Sequence, residues 1–252
     1  MRITDRKESP IIGLTGMGGG LASYILYGAA APSVGDPYGG GYFAGQINDG
    51  GTIYNLVVAP LTSGGLEGQL GGLTLTRIQW NISSVGPATT ATSSSYGGTA
   101  TLANANANHP MFNWVVNGAT GPNAGTYDAT NATGTGIGGY NDWYIPATNE
   151  LEILYRAFKP DTTANQTTFG ANANAVPPTS NYTTTDPAQT TVAIFQSGGS
   201  QAFTTDNDGY WSATENTGSN FQSHWQKFLD GFQGIAPKAS NKFARAIRRV
   251  PV

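Results

Sequence analysis

The chain has 252 residues, enough to bury a core, with a net charge of −3 and only 11% charged residues, where about a quarter is usual for soluble domains. The slight acidity excludes a general nucleic-acid binder, which needs a basic face for phosphates, and the absence of cysteine excludes disulfides, thiolate nucleophiles and thiolate-ligated zinc. With 35 glycines, 14 prolines and 11% aromatics, the composition suits a loop-rich domain of short strands and aromatic anchors, not charge-driven disorder.

Residues 1–8 carry mixed charge, and residues 9–35 carry none. Glycines and polar residues dilute this run too far for a membrane-spanning helix. Asp5 and Glu8 spoil the basic start of an export leader. The glycines at 16 and 18–20 are not followed by Gly-Lys-Ser/Thr, so they form no phosphate loop. The remaining reading is an arm, residues 1–38, that buries itself against another chain.

Residues 42–47 and 53–59 read as strands, joined by Asn48-Asp49-Gly50-Gly51, which is hairpin chemistry. Residues 61–72 read as a glycine-rich loop, 73–82 as a strand around Trp80, and 83–98 as a second loop. Over residues 99–116 the alternating Ala-Asn run is ambivalent, with Phe112, Trp114 and Val115 as core candidates.

Residues 139–158 carry the strongest local signal. Asn141 to Pro146 reads as a turn and a short aromatic strand. Leu151, Leu154, Tyr155 and Phe158 then recur at i, i+3, i+4 and i+7, one apolar stripe of a helix. Thr148 is the expected N-cap and Glu150 lies in the first turn. Arg156 and Lys159 lie at the far end, and Pro160 is the stop.

Residues 160–208 form a long polar stretch, a length of loop that is often functional. Within it, 192–195 and 201–203 are expected to pair as a short hairpin. Residues 210–213, 224–229 and 243–250 read as strands, with Asp230-Gly231 as a turn.

No catalytic constellation stands out. His109 and His224 lie in no triad or metal spacing. Glu150 and Glu152 point to different faces of their helix and are expected to be solvated. Asp206-Asn207-Asp208-Gly209 looks like a fragment of a calcium loop but lacks its further acidic positions, so a plain turn is expected. Arg245, Arg248 and Arg249 are expected on an exposed or paired C-terminal strand. Neither enzyme activity nor a metal or cofactor is expected.

The segment NDWYIPATNELEILY resembles the "DWYLP…DELELLY" signature of a C-type-lectin-like domain family, found at the C-termini of bacterial collagen-like adhesins and in tailed-phage fibre proteins. Tyr210-Trp211-Ser212-Ala213-Thr214-Glu215 resembles its "YWSSTE", and Arg245-Ala246-Ile247-Arg248-Arg249-Val250 its terminal "RAVRRV". The stretch from Gly39 to Ile47, leading to Leu56-Val57-Val58-Ala59-Pro60, resembles its opening strands. The resemblance covers roughly residues 39–252.

It implies an α+β, C-type-lectin-like fold for residues 39–252, with two helices and a mostly antiparallel, loop-rich sheet. The first helix would lie in 99–116, interrupted near Pro110. The family's relatives include formylglycine-generating enzymes and retroelement-diversified variable proteins. The copper-thiolate chemistry of the former needs cysteines that this chain lacks. The calcium motifs of sugar-binding C-type lectins are also missing.

The resemblance therefore implies a binding module on a virion, of tail or head fibre type, that attaches to a host surface glycan or protein. The alternative is a capsid or tail decoration protein without a receptor. Residues 1–38 would then anchor to other virion proteins in a homo-oligomer, most simply a trimer, without membrane insertion. A secreted bacterial adhesin is a third reading. The ligand surface is expected at Asn216, Thr217, Ser219, Asn220, Phe221, Gln222, Ser223, His224 and Trp225, with Tyr210 beside it. Trp211, Trp225, Tyr140, Trp143 and Tyr144 each also suit a purely structural place.

Overall fold

A computed structural model of the chain describes residues 32–66, 77–83, 91–117 and 137–252. These residues fall within one unit, Pro32–Val252. The predicted arm lies outside them up to residue 31. The described part is a mixed α+β structure with four α-helices and mostly antiparallel sheets.

The largest sheet has the order β1-β2-β3-β11, built from Pro37–Tyr38, Gly41–Asp49, Thr52–Val58 and Ile247–Pro251. The β2–β3 hairpin closes opposite Asp49 and Thr52 through Gly50 and Gly51, with φ of 59° and 94°. Two successive positive φ values are what a tight two-residue hairpin turn requires, and only glycine takes both without strain. The C-terminal strand β11 lies antiparallel on β3, from Ile247 opposite Val58 to Pro251 opposite Tyr54. The last strand of the chain thus closes on one of the first.

A second sheet has the order β6-β7-β8, from Tyr210–Glu215, Gln222–Gln226 and Gln233–Pro237. Short pairs complete the architecture: β4, Gly65–Leu66, with β10, Ala244–Arg245, and β5, Ile78–Gln79, with β9, Asn241–Lys242.

The helices are α1, Leu61–Gly64; α2, Gly98–Ala103; α3, Pro110–Asn117; and α4, Thr148–Phe158. Pro110 opens α3, where its missing N–H costs nothing. The resemblance implied two helices, so α1 is an addition, and the region read as one interrupted helix is two. Residues 61–64 were expected as loop.

The apolar stripe of α4 is buried as its period requires: Leu151, Leu154, Tyr155 and Phe158 are all within 1% of full burial, each contributing about 1.5–3 kcal/mol. Its N-cap is Ala147, one residue before the expected Thr148. The Glu150 carboxylate reaches back to accept the Ala147 N–H at 2.8 Å, which replaces a side-chain cap. Helix α4 packs on β2, where β2 bulges between Phe43 and Gly45. A Cβ on Gly45 would lie 3.1 Å from the Ile153 methyl, so glycine permits the close approach.

Strand alternation divides the interior in two. On β3, Val57 joins a cluster with Trp80, Phe112, Trp114, Trp143 and Trp211, while Leu56 and Val58 join one with Leu154, Tyr155, Phe158, Phe195, Phe203 and Phe228. The same switch separates Trp211 from Tyr210 and Ala244 from Phe243. Successive side chains on a strand point to opposite faces, so a strand buried on both sides feeds two cores.

Other expectations are corrected. Residues 192–195 and 201–203 do not form a hairpin. Ala193–Phe195 is a 3₁₀ turn, and its only backbone link to the second segment is Gln201 N–H to the Ile194 carbonyl, 2.8 Å. The strand expected around Trp80 is only Ile78–Gln79 among the described residues, and Tyr144 forms a single bridge to Ile247 instead of a strand. Strand β8 was not anticipated. The Asp206–Gly209 segment is a turn whose two aspartates pair with Arg77 at 3.1 and 2.7 Å.

Candidate functional site: the face of the three-stranded sheet

The charged residues nearest α4 are interior fasteners, which narrows where a site can be. Glu150 and Glu152, expected in solvent, are 0% and 1% exposed. Glu150 accepts four hydrogen bonds: from Ala147 N–H at 2.8 Å, Gly97 N–H at 3.0 Å, Tyr144 O–H at 2.6 Å and Arg249 Nε at 2.7 Å. Arg249 also donates to Asp49 at 2.9 Å and to the Ser95 carbonyl. Burial raises the Glu150 pKa against the pull of Arg249. For Asp49, burial opposes ionisation, but Arg249 and Ser95 together hold its carboxyl below the usual range.

Glu152 binds Arg156 at 2.5 Å and Asn172 at 2.8 Å. Arg156 continues to the carbonyls of Gly170 and Ser180, so this pair ties the 160–208 stretch to α4. Arg248 clasps Asp142 through two nitrogens, at 2.6 and 2.9 Å, and lies 3.7 Å over the Tyr140 ring. Arg245 is 1% exposed and donates to the Ala59 carbonyl. The C-terminal arginines are therefore the paired alternative, drawn inward, and offer no basic surface.

Neutral chemistry remains on the β6–β8 sheet. The bulge between Trp211 and Glu215 lifts β6 away from β7, and Ala213 N–H instead bonds the Pro146 carbonyl at 2.7 Å. Across β7–β8, Gln222 faces Pro237, His224 faces Ile235 and Gln226 faces Gln233. Paired residues share a face, so these six form one surface. On the other face, Trp225 packs against the first core and lies 3.6 Å beneath the Lys242 ammonium.

The predicted loop, residues 216–222, joins β6 to β7 at one end of this surface. It closes on itself: Asn216 N–H bonds the Gln222 carbonyl at 3.0 Å, and their side-chain amides meet at 3.1 Å. Thr217, Asn220 and Phe221 are exposed at its tip, and Ser219 is half-buried. Phe221 is 45% exposed and Ile235 46%. The structure thus brings together the predicted residues from 216 to 224, with Ser223 buried. Tyr210 is not among them. It is fully buried in the second core against Phe203, Phe228 and Phe243, and its hydroxyl accepts the Thr204 N–H at 2.6 Å.

At the other end, the same surface meets the start of α4 and the 160–208 stretch around a pocket of about 210 Å³. Thr148, Asn149 and Leu151 line it from α4, Ala171 from the long stretch, and Ser212, His224, Trp225, Gln226 and Gln233 from the sheet. Burial lowers the His224 pKa, which favours the neutral ring. Sequence reasoning reached only His224 and Trp225 among these. The others come from elements far apart in the chain, and Gln233 from a strand without a strand-like sequence. Among the described residues no cluster of three or more His, Asp or Glu side chains could hold a metal, and no helix is long and apolar enough to cross a membrane. No protein-family model, curated protein or solved structure matches the chain.

Proposed function

We propose that residues 39–252 are a C-type-lectin-like recognition domain of a phage virion protein, which attaches to a host surface glycan or protein through the 216–222 loop and the adjoining face of β7 and β8. The observation that carries this reading is the self-closed loop. Asn216 and Gln222 fix its base, so the exposed Asn220 and Phe221 are held on an ordered strand connection. A fixed aromatic ring among neutral amides and hydroxyls is a recognition surface that loses little entropy on binding. The part of residues 1–38 that precedes β1 serves as the anchor to other virion proteins, in a homo-oligomer that is most simply a trimer.

The test is attachment of the labelled full chain to intact candidate host bacteria, beside an Asn220→Ala, Phe221→Ala variant. The expected result is saturable binding by the parent and loss of at least tenfold in affinity for the variant, equivalent to about 1.4 kcal/mol. Equal binding by both removes the loop as the site. Absence of binding by a folded parent favours the decoration reading, in which the fold stabilises a particle without a receptor.

A further inference from the structure

The pocket between α4 and the sheet has a chemistry of its own, distinct from that of the loop tip. Its lining contains no charged side chain among the described residues. An anion would find no free amide at the start of α4. Thr148 N–H donates to Thr214 Oγ1 at 3.1 Å, Asn149 N–H to the Ser94 carbonyl at 2.9 Å, and Ala147 N–H to Glu150. A cation would find no carboxylate.

Part of the wall is already fixed. Gln226 donates to the Tyr182 hydroxyl at 3.0 Å, and Ser212 Oγ to the His224 carbonyl at 3.1 Å. Two groups are open. The His224 imidazole has no hydrogen-bond partner among the described residues. The Gln233 amide makes only a 3.5 Å contact with Gln226. Leu151 and Ala171 add apolar surface. The volume falls below the ~300–1,000 Å³ of sites for drug-sized ligands, so it admits about one ring.

We propose that this pocket is a subsite for a single uncharged sugar ring, with His224 and Gln233 hydrogen-bonding its hydroxyls. A pyranose combines C–H faces with a rim of neutral donors and acceptors, which is the combination the lining presents. The inference rests on the recognition reading and specifies its ligand class: a neutral glycan whose terminal or internal residue enters the pocket while neighbouring residues reach toward Phe221.

The two histidines make the test direct. His109 is buried and bonded on both ring nitrogens, to Asn81 and Asn106, so its imidazole proton signals serve as an internal control for those of His224. The full chain is titrated by NMR with glucose, galactose, mannose and N-acetylglucosamine, and separately with glucuronate and N-acetylneuraminate. At least one neutral sugar is expected to shift the His224 signal saturably, with Kd in the millimolar range and the His109 signal unmoved. Gln233→Ala is expected to weaken that Kd about tenfold. Ala171→Phe, at an exposed rim position, is expected to abolish the shift while leaving the fold intact.

The proposal is overturned if no neutral sugar moves the His224 signal, if the acidic sugars bind more tightly, or if the shift survives Ala171→Phe. Cell attachment by the parent and by Ala171→Phe alike, with a silent His224, overturns the subsite and leaves the recognition reading standing. Sugar binding at His224 without any cell attachment supports the subsite and counts against the receptor role.

Discussion

The surroundings of α4 and the open face of β7–β8 use polar residues in opposite ways. Around α4, ionic groups are taken out of water and saturated with partners. Glu150 has four donors, and Glu152 has an arginine and an asparagine. On β7–β8 the groups are neutral and incompletely partnered, as at His224 and Gln233. A chain with 11% charged residues thus places several of its charges where they hold distant segments together. Under the proposed function, recognition falls to amides, hydroxyls, an imidazole and rings. Charge around α4 serves architecture, and binding is proposed for the neutral polar surface.

The sharpest way to break that comparison is to remove one buried charge. Glu150→Leu takes the buried acceptor from Arg249, whose side chain is 8% exposed and which keeps Asp49 and the Ser95 carbonyl, and from the Tyr144 hydroxyl and the Ala147 and Gly97 N–H groups. The expected loss is about 3–5 kcal/mol, read as a lower denaturant midpoint. Glu152→Leu is expected to cost less, about 1–3 kcal/mol, because Arg156 keeps the Gly170 and Ser180 carbonyls. Equal losses would mean that the four-donor network around Glu150 is no more critical than a local i,i+4 pair.

A smaller effect is expected from pH. Lys242 is 6% exposed, and burial brings its pKa down from 10.5 to about 8, against the pull of Asp208. Between those values the unfolded chain holds a proton that the folded chain has released. Stability contributed by this group therefore rises as pH increases from 8 toward 10.5 and is lost on return toward neutrality. Lys242→Met is expected to flatten that limb of the stability–pH curve. A constant offset between parent and variant across the window would show that the ammonium above Trp225 is not desolvated.

The legibility of the sequence follows the same division. Helix α4 and the β2–β3 hairpin were readable because their signals are local: a 3.6-residue stripe and a Gly-Gly turn. The burial of Glu150 was not, since its strongest partner, Arg249, lies 99 residues away. Thr148 was displaced as N-cap by that same carboxylate, bonded to Ala147 N–H. Strand β8, QGIAP, has Ile235 as its one strand-favouring residue and exists because β7 offers it a full ladder of partners. Tyr210 read as a surface aromatic because "YWSATE" alternates between two buried faces, and a single-strand pattern cannot distinguish a second core from solvent. The loop from 216 to 222 was legible as a group. The pocket at the opposite end was not, because its walls come from five separate stretches of chain.

The smallest expected effect on stability is also the most informative about function. Phe221 is held by its backbone, whose carbonyl accepts the Lys238 N–H at 2.9 Å, while its ring is 45% exposed. Phe221→Ser should therefore leave stability within about 0.5 kcal/mol of the parent. By contrast, Leu154→Ala, in the stripe of α4, should cost about 2–5 kcal/mol. An aromatic ring whose removal the fold does not register, on a loop that the fold has fixed, is surface available for a partner. If thermal melts show that Phe221→Ser costs more than about 1 kcal/mol, the ring is a packing element. The proposed recognition surface would then lose its anchor, leaving the neutral pocket at His224 as the remaining place for the proposed ligand.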